Sequence, residues 1–141
     1  MCEHKLDSKG RVVLPYKIRE KLGEVVYIAK GKEGNLDLYS EEAWSELQEE
    51  IKRISNSSMS SQTRNALSIK MNAEKISIDG GGRIFLPAKL RKYARLSQNV
   101  KFINLLSHIE IWDKQLWEGR ERSFKVIRVD LENLLKEDMT V

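Results

Sequence analysis

The chain has 141 residues and a mass of 16.4 kDa, which allows one ordinary domain or two very small ones. Its 40% hydrophobic residues suffice for a modest core, but no apolar run reaches the roughly 20 residues of a membrane span, so we expect a cytoplasmic protein without a membrane partner. A net charge of +4 favours acidic partners, and basic segments (1–22 and 63–96) alternate with an acidic one (41–54).

The first predicted element is a tight turn. A short strand ends at Asp7, a three-residue connection closes with Gly10, and a second strand runs from Arg11 to Leu14. Glycine in the last position of such a connection adopts the left-handed conformation without strain. The pattern predicts a β-hairpin with a basic tip.

Pro15 cannot continue a central strand but suits the first turn of a helix, so a short basic helix is predicted at about 16–22. Two strands follow, at Val25–Ile28 and Leu36–Ser40. The segment 30–35 connects them as a second hairpin.

Ser40 is a good N-cap for a longer helix. Tyr39 and Trp44 occupy the positions of a hydrophobic staple at its start. One narrow apolar stripe is predicted on this helix, made of Trp44, Leu47, Ile51 and Ile54. A serine-rich stretch at 55–61 and a short helix at 62–71 then connect to the rest of the chain.

The second half of the chain repeats the first. Asp79 lies 72 residues after Asp7, and both segments read D-x-x-G-R-(apolar)₂-L-P-x-K-(apolar)-R. The elements predicted in the second half are a strand at 83–86, a helix at 88–95, strands at 100–103 and 109–113, and a helix capped by Asp113 with a Trp112–Trp117 staple. A second stripe is predicted at Phe124, Ile127, Leu131 and Leu134. The unit is strand–strand–helix–strand–strand, present twice.

Each half is too small to bury much surface alone, so two pseudo-symmetric halves are expected to share one sheet or barrel in a mainly β fold with helices (α+β). The predicted divisions are a first domain at 1–54, a linker with a short helix at 55–72, a second domain at 73–117 and a helical C-terminal extension at 118–141.

The repeated segment concentrates cations on a protruding ribbon and on the helices behind it, which is suited to phosphate contact and to entry into a DNA groove. The predicted DNA-binding residues are Lys9, Arg11, Lys17, Arg19, Arg83, Lys89 and Arg91, with Lys92 beside them. Asp7, Gly10, Asp79 and Gly82 are predicted to support them. The aspartates could orient the arginines for DNA, or could form a salt bridge that only stiffens the loop.

Catalysis is poorly supported. Cys2 is the single cysteine, and His4 and His108 have no nucleophile at motif spacing. Gly80–Gly82 is followed by Arg83 and apolar residues, whereas a P-loop needs Gly-Lys-Ser/Thr. We expect a protein that is not an enzyme, with no metal site, cofactor or small-molecule substrate.

These residues resemble the MraZ family, regulators built from two SpoVT-AbrB-type domains. The resemblance runs from about His4 to Trp117. It rests on the segments 4–11 and 73–84, which both carry D-x-x-x-R, and on the closing motif at 109–113 with Trp117.

The resemblance implies a tandem swapped-hairpin, AbrB-like double-psi-type β barrel and ring-shaped homo-oligomers. It also implies binding to double-stranded DNA at promoter repeats upstream of the bacterial division and cell-wall gene cluster, usually as a repressor associated with the nucleoid. The arginine corresponding to Arg11 would contact DNA, with Arg83 as its counterpart.

Two other functions stay open. The chain could be an AbrB-like antitoxin that binds a protein toxin as well as DNA, although such antitoxins usually carry one copy of the motif and a disordered tail. Alternatively, it could be a ring-forming scaffold protein whose basic hairpins serve contacts between subunits.

Overall fold

A computed structural model describes residues 4–55, 60–65 and 72–124. The strands are β1 (His4–Lys5), β2 (Arg11–Val13), β3 (Val25–Lys30), β4 (Leu36–Ser40), β5 (Glu74–Ser77), β6 (Arg83–Phe85), β7 (Asn99–Asn104) and β8 (Ile109–Asp113). The helices are α1 (Tyr16–Leu22), α2 (Glu41–Ser55), α3 (residues 61–65), α4 (Ala88–Tyr93) and α5 (Lys114–Phe124).

Six of these strands form one antiparallel sheet in the order β1-β7-β8-β4-β3-β5. Its centre is the pair β4 and β8, one strand from each half, where Asp37 lies opposite Glu110. The strands of the two halves occupy equivalent positions in this order. At one end β1 of the first half pairs with β7 of the second, and at the other end β5 of the second half pairs with β3 of the first. The sheet is therefore pseudo-symmetric, and each half supplies an edge strand to the other.

The remaining strands, β2 and β6, form a separate two-stranded ribbon. The prediction that the strand before Asp7 pairs with the strand that begins at Arg11 is therefore wrong. In the described part of the chain, only the turn between them is hydrogen-bonded, because the Asp7 N–H donates to the Arg11 carbonyl. The same holds for the second half. The strands β1, β2, β5 and β6 each pair with a strand of the other half, because a short strand buries more surface there than in an isolated two-stranded hairpin.

The hydrophobic core lies between the sheet, the ribbon and the two short helices. Both halves contribute fully buried side chains to it, namely Val12, Ile18, Val26, Ile28, Leu36, Leu38, Ile84, Leu86, Phe102 and Ile111, with Leu90 nearly so. Successive side chains of a strand point to opposite faces, which explains why Val12 and Ile84 belong to the core. These two cross-strand partners point inward, while their neighbours on the ribbon point outward. The predicted class, an α+β fold of two pseudo-symmetric halves with swapped hairpins, is confirmed.

The predicted helix starts are also confirmed. Ser40 Oγ accepts the Ala43 N–H at 3.1 Å, and Asp113 Oδ2 accepts the Leu116 N–H at 3.2 Å. Both staples form, with ring centroids 5.6 Å apart for Tyr39 and Trp44 and 5.4 Å apart for the corresponding tryptophans of the second half. Each staple fixes the direction in which a long helix leaves the sheet.

On α2 the predicted stripe is partly buried, with Trp44 and Ile51 the most enclosed. The predicted linking helix is present at 61–65, and its remainder, 66–71, lies outside the described residues, as does most of the predicted stripe at 124–134. In the described ranges, none of the helices combines the length and apolar character needed to cross a membrane.

Candidate nucleic-acid interface

The first basic loop is built around the carboxylate of Asp7. Its Oδ1 accepts the N–H groups of Lys9 at 2.9 Å and Arg11 at 2.8 Å, and the Gly10 N–H closes the turn onto the Asp7 carbonyl. Gly10 has φ +84°, a conformation that glycine adopts without strain. These bonds fix the loop and confirm the predicted three-residue connection.

The second loop repeats this geometry. Asp79 Oδ1 accepts the N–H groups of Gly81 and Arg83, both at 2.9 Å, and Gly82 has φ +75°. The two loops therefore have the same shape. They differ in charge, because the position of Lys9 in the first loop is taken by Gly81 in the second.

In each loop, the aspartate also holds the arginine side chain. Arg11 Nε donates to Asp7 Oδ2 at 2.8 Å, and Arg83 Nε donates to Asp79 Oδ2 at 3.0 Å. The arginine side chains remain 31% and 40% exposed, and the contact occupies only the Nε–H. Because the guanidinium carries four further N–H groups, its outer end stays available to an acceptor.

The hydrogen bonds within the loops lower the pKa of both aspartates. For Asp7 the largest cause is the backbone N–H of Arg11, and the Arg11 side chain lowers the pKa further; for Asp79 the backbone N–H of Arg83 has the same effect. Partial desolvation opposes these effects but does not outweigh them. Both carboxylates are therefore ionised at neutral pH and bind their arginines as anions.

The two loop arginines share one face of the ribbon. Arg11 lies opposite Phe85 and Val13 lies opposite Arg83, with the buried Val12–Ile84 pair between them. The outer face therefore carries two cations on a diagonal, together with the apolar side chains of Val13 and Phe85, which are 54% and 47% exposed. Sequence reasoning did not find these two exposed apolar residues, because the identity of their cross-strand partners depends on the swapped pairing.

Two further predicted cations lie across the boundary between the halves. The Arg91 guanidinium packs on Gly10, where a Cβ would stand 2.8 Å from Cζ, and its Nε donates to the Leu86 carbonyl at 2.8 Å. Arg19 packs on Gly82 in the same way, where a Cβ would stand 2.5 Å from Nη1. Each glycine thus leaves room for an arginine of the other half, a second reason for glycine that the turn pattern alone does not reveal.

The predicted lysines differ in their surroundings. Lys9 and Lys17 are exposed, on the first loop and in the first turn of α1. Lys89 is exposed in the first turn of α4 and forms an ion pair with Glu74. An internal carboxylate competes with any external anion, so Lys89 is the weaker candidate for phosphate contact.

Comparisons with known proteins identify the relatives of this chain. The family model described as "MraZ protein, putative antitoxin-like" matches residues 2–67 and 69–137. A protein named transcriptional regulator MraZ in Caldanaerobacter subterraneus subsp. tengcongensis is 36% identical over 126 residues, covering 88% of this chain and 86% of the relative. Proteins of the same name are 36% identical in Thermoanaerobacter sp. (strain X514), covering 94% of both chains, and 37% identical in Clostridium tetani, covering 82% of this chain and 80% of the relative.

This chain has two AbrB-like halves that exchange strands, and each half carries a basic loop. These features place it in a class of α+β proteins in which one chain contains two copies of the same unit. Within that class, the match over nearly the whole length shows that this chain belongs to the MraZ family. The resemblance stated from the sequence motifs is confirmed.

Proposed function

We propose that this chain is a sequence-specific DNA-binding transcriptional regulator without catalytic activity. The names of its relatives support transcriptional regulation. The observation that supports DNA binding is the outer face of the ribbon, on which Arg11 and Arg83 lie on a diagonal, partly exposed, and each is oriented by an aspartate. A two-stranded ribbon of this kind has the width to enter the major groove.

The proposed roles follow from the contacts of each residue. Arg11 and Arg83 read base edges, because an arginine held at Nε can present its terminal N–H groups to a guanine. The other predicted DNA-binding residues contact phosphates in this proposal, and they are Lys9, Lys17, Arg19, Lys89 and Arg91. Asp7, Gly10, Asp79 and Gly82 support the loops through the hydrogen bonds and the arginine packing described above.

At the level of assembly, we propose that the chain forms the ring-shaped homo-oligomer that the family resemblance implies and that this ring acts on repeated promoter sites. A ring repeats each weak contact, so DNA with repeats at the matching spacing is held by avidity. The proposed target is the division and cell-wall gene cluster, with repression as the outcome and the nucleoid as the location. The divisions at residues 54, 72 and 117 stay a prediction.

Fluorescence anisotropy tests the proposal with two labelled duplexes, one carrying the repeats upstream of the chain's own gene and one scrambled. We expect the chain to prefer the repeats, and we expect that preference to disappear in Arg11→Ala/Arg83→Ala. Arg53→Ala is the matched control, because it removes an exposed arginine from α2, away from the ribbon. Equal binding to both duplexes by the unmodified chain would refute sequence-specific recognition.

Two further measurements test the mechanism. A salt series separates phosphate from base contacts, since loss of Lys17 reduces the salt slope by about one whereas loss of Arg11 reduces discrimination. A reporter gene behind the same repeats tests repression. Transcription should fall when the chain is present and recover with the double variant, and a rise in its presence would show activation instead.

The antitoxin function is the second candidate, favoured by the description of the matching family. Copurification of a protein partner whose toxicity the chain neutralises would support it. The scaffold function would be supported by rings, seen in size-exclusion chromatography, that bind partners but ignore DNA at all salt concentrations.

A further inference from the structure

A compact group of side chains of the types that bind metal ions lies at the centre of the sheet. Asp37 on β4 and Glu110 on β8 are directly opposed across the two central strands, and His108 is the residue that precedes β8. Within the described parts of the chain, these three form a group whose ligand atoms all lie within 4.8 Å of one another. The group joins the two halves at the pseudo-symmetry axis.

The distances within this group suit a small divalent cation. His108 Nε2 lies 3.3 Å from Asp37 Oδ1 and 3.9 Å from Glu110 Oε2. Tetrahedral coordination with bonds of about 2.0–2.2 Å places neighbouring ligand atoms about 3.3–3.6 Å apart. The two distances from His108 are therefore within a few tenths of an ångström of this range, and all three ligand atoms lie within 4.8 Å of one another.

Each of the three side chains is oriented by a further residue, as is usual around metal ions. Ser107 Oγ lies 2.9 Å from His108 Nδ1 and can accept its proton, which leaves the Nε2 lone pair facing the carboxylates. Asn35 donates to Asp37 Oδ1 at 2.9 Å. On the other strand, the Trp112 indole N–H donates to Glu110 Oε1 at 2.9 Å and leaves Oε2 toward the histidine.

Electrostatics gives this group a need for positive charge. Two carboxylates directly opposite each other on neighbouring strands repel, and the Asp37 side chain is only 5% exposed. Positive charge between them, from a bound metal ion or from a protonated His108, offsets this repulsion. The His108 ring stacks on Tyr39 with centroids 5.0 Å apart, and the side chains of His108 and Glu110 remain 17% and 19% exposed, so the group is partly accessible to solvent.

We propose that Asp37, His108 and Glu110 bind a divalent transition-metal ion, with Zn²⁺ as the best match. One imidazole and two carboxylates are ligands that Zn²⁺ accepts, and a water molecule would complete a four-coordinate site. The ion ties β4 to β8 and so stabilises the joint between the halves. The site is independent of the proposed DNA function.

The pseudo-symmetry supplies a conservative variant. Aligning β4 with β8 places Asn35 of the first half where the second half has His108. His108→Asn therefore introduces a side chain that the fold already accepts at the equivalent position, and it removes the nitrogen ligand. The matched control is His4→Asn, which removes the other histidine of the chain, on β1 against Phe102.

The test is titration of the purified, chelator-treated full chain with Zn²⁺, and with Co²⁺ as a coloured probe. We expect one ion per chain, a tetrahedral Co²⁺ spectrum, and a rise in the thermal midpoint of about 5–10 °C at 100 times the Kd. His108→Asn and Glu110→Gln should each abolish the spectrum and the thermal shift, while His4→Asn keeps both.

Circular dichroism shows whether each variant is folded, and two ligand variants keep the test valid if one is not. Absence of metal binding by the unmodified chain overturns the proposal. Binding that survives in both ligand variants, or that is lost in His4→Asn, overturns it as well. A midpoint that responds to pH but not to metal would show that a protonated His108 supplies the charge, and this too would overturn the proposal.

Discussion

The packing of Arg91 on Gly10 makes a quantitative prediction for Gly10→Ala. At φ +84° an alanine costs about 1–2 kcal/mol in backbone strain. Its Cβ would also stand 2.8 Å from Arg91 Cζ, so the guanidinium must move and give up the hydrogen bond to the Leu86 carbonyl. A part-buried bond from a charged donor contributes about 1–2 kcal/mol, which brings the expected loss of unfolding free energy to about 2–4 kcal/mol.

Gly34→Ala is the matched control. Gly34 has φ +82°, so its backbone strain is the same, but nothing lies within 4 Å of a Cβ built there. Its expected loss is therefore about 1–2 kcal/mol. Gly82→Ala should resemble this control, because Arg19 is exposed and, among the described residues, no hydrogen bond holds its guanidinium in place.

Urea unfolding followed by circular dichroism measures these losses, and a double-mutant cycle isolates the arginine. In an Arg91→Ala background, Gly10→Ala should cost no more than Gly34→Ala, which gives a coupling of about 1–2 kcal/mol. Equal losses for Gly10→Ala and Gly34→Ala in the unmodified background would refute the reasoning. The proposed base contacts predict weaker repeat discrimination for Gly10→Ala, since the loop that carries Arg11 would shift.

Three other measurements test the fold. Ser40→Ala should lower the unfolding free energy by about 1 kcal/mol through loss of the α2 cap, whereas Ser45→Ala, on the exposed side of the same helix, should change it little. Phe102→Ala should cost about 3–5 kcal/mol in urea unfolding, because Phe102 is completely buried. Burial raises the pKa of Asp113, but hydrogen bonds from Ser97 and from backbone N–H groups outweigh it and hold the pKa below the ordinary 3.8. Its stabilisation is therefore present above that value and lost as pH falls through the lowered pKa, so the thermal midpoint should fall less on acidification in Asp113→Asn than in the unmodified chain.

Local features of this fold are predictable because they depend on a few adjacent residues. The Asp7–Arg11 turn, the caps at Ser40 and Asp113 and the staples all form as the sequence pattern indicates. Proline at 15 marks the start of α1 for the same reason. In each case the interaction spans at most five positions, so side-chain chemistry and spacing determine it.

Strand partners and contacts between the halves are not predictable in this way. Whether β1 pairs with β2 or with β7 depends on which arrangement buries more apolar surface over the whole chain. The packing of Arg91 on Gly10 and the approach of His108 to Asp37 follow from that pairing. A single sequence carries no period or spacing that joins residues so far apart.

The exchange of edge strands within one chain has a consequence for how the two halves can differ. In a homodimer of identical subunits, a substitution always appears twice, and dilution separates the partners. Here the partners share one backbone, so their association does not depend on protein concentration, and each half can change alone. Lys9 of the first half corresponds to Gly81 of the second half, and Tyr16 corresponds to Ala88. A chain built in this way can present two unlike basic loops, whereas a strictly symmetric dimer always presents two identical ones.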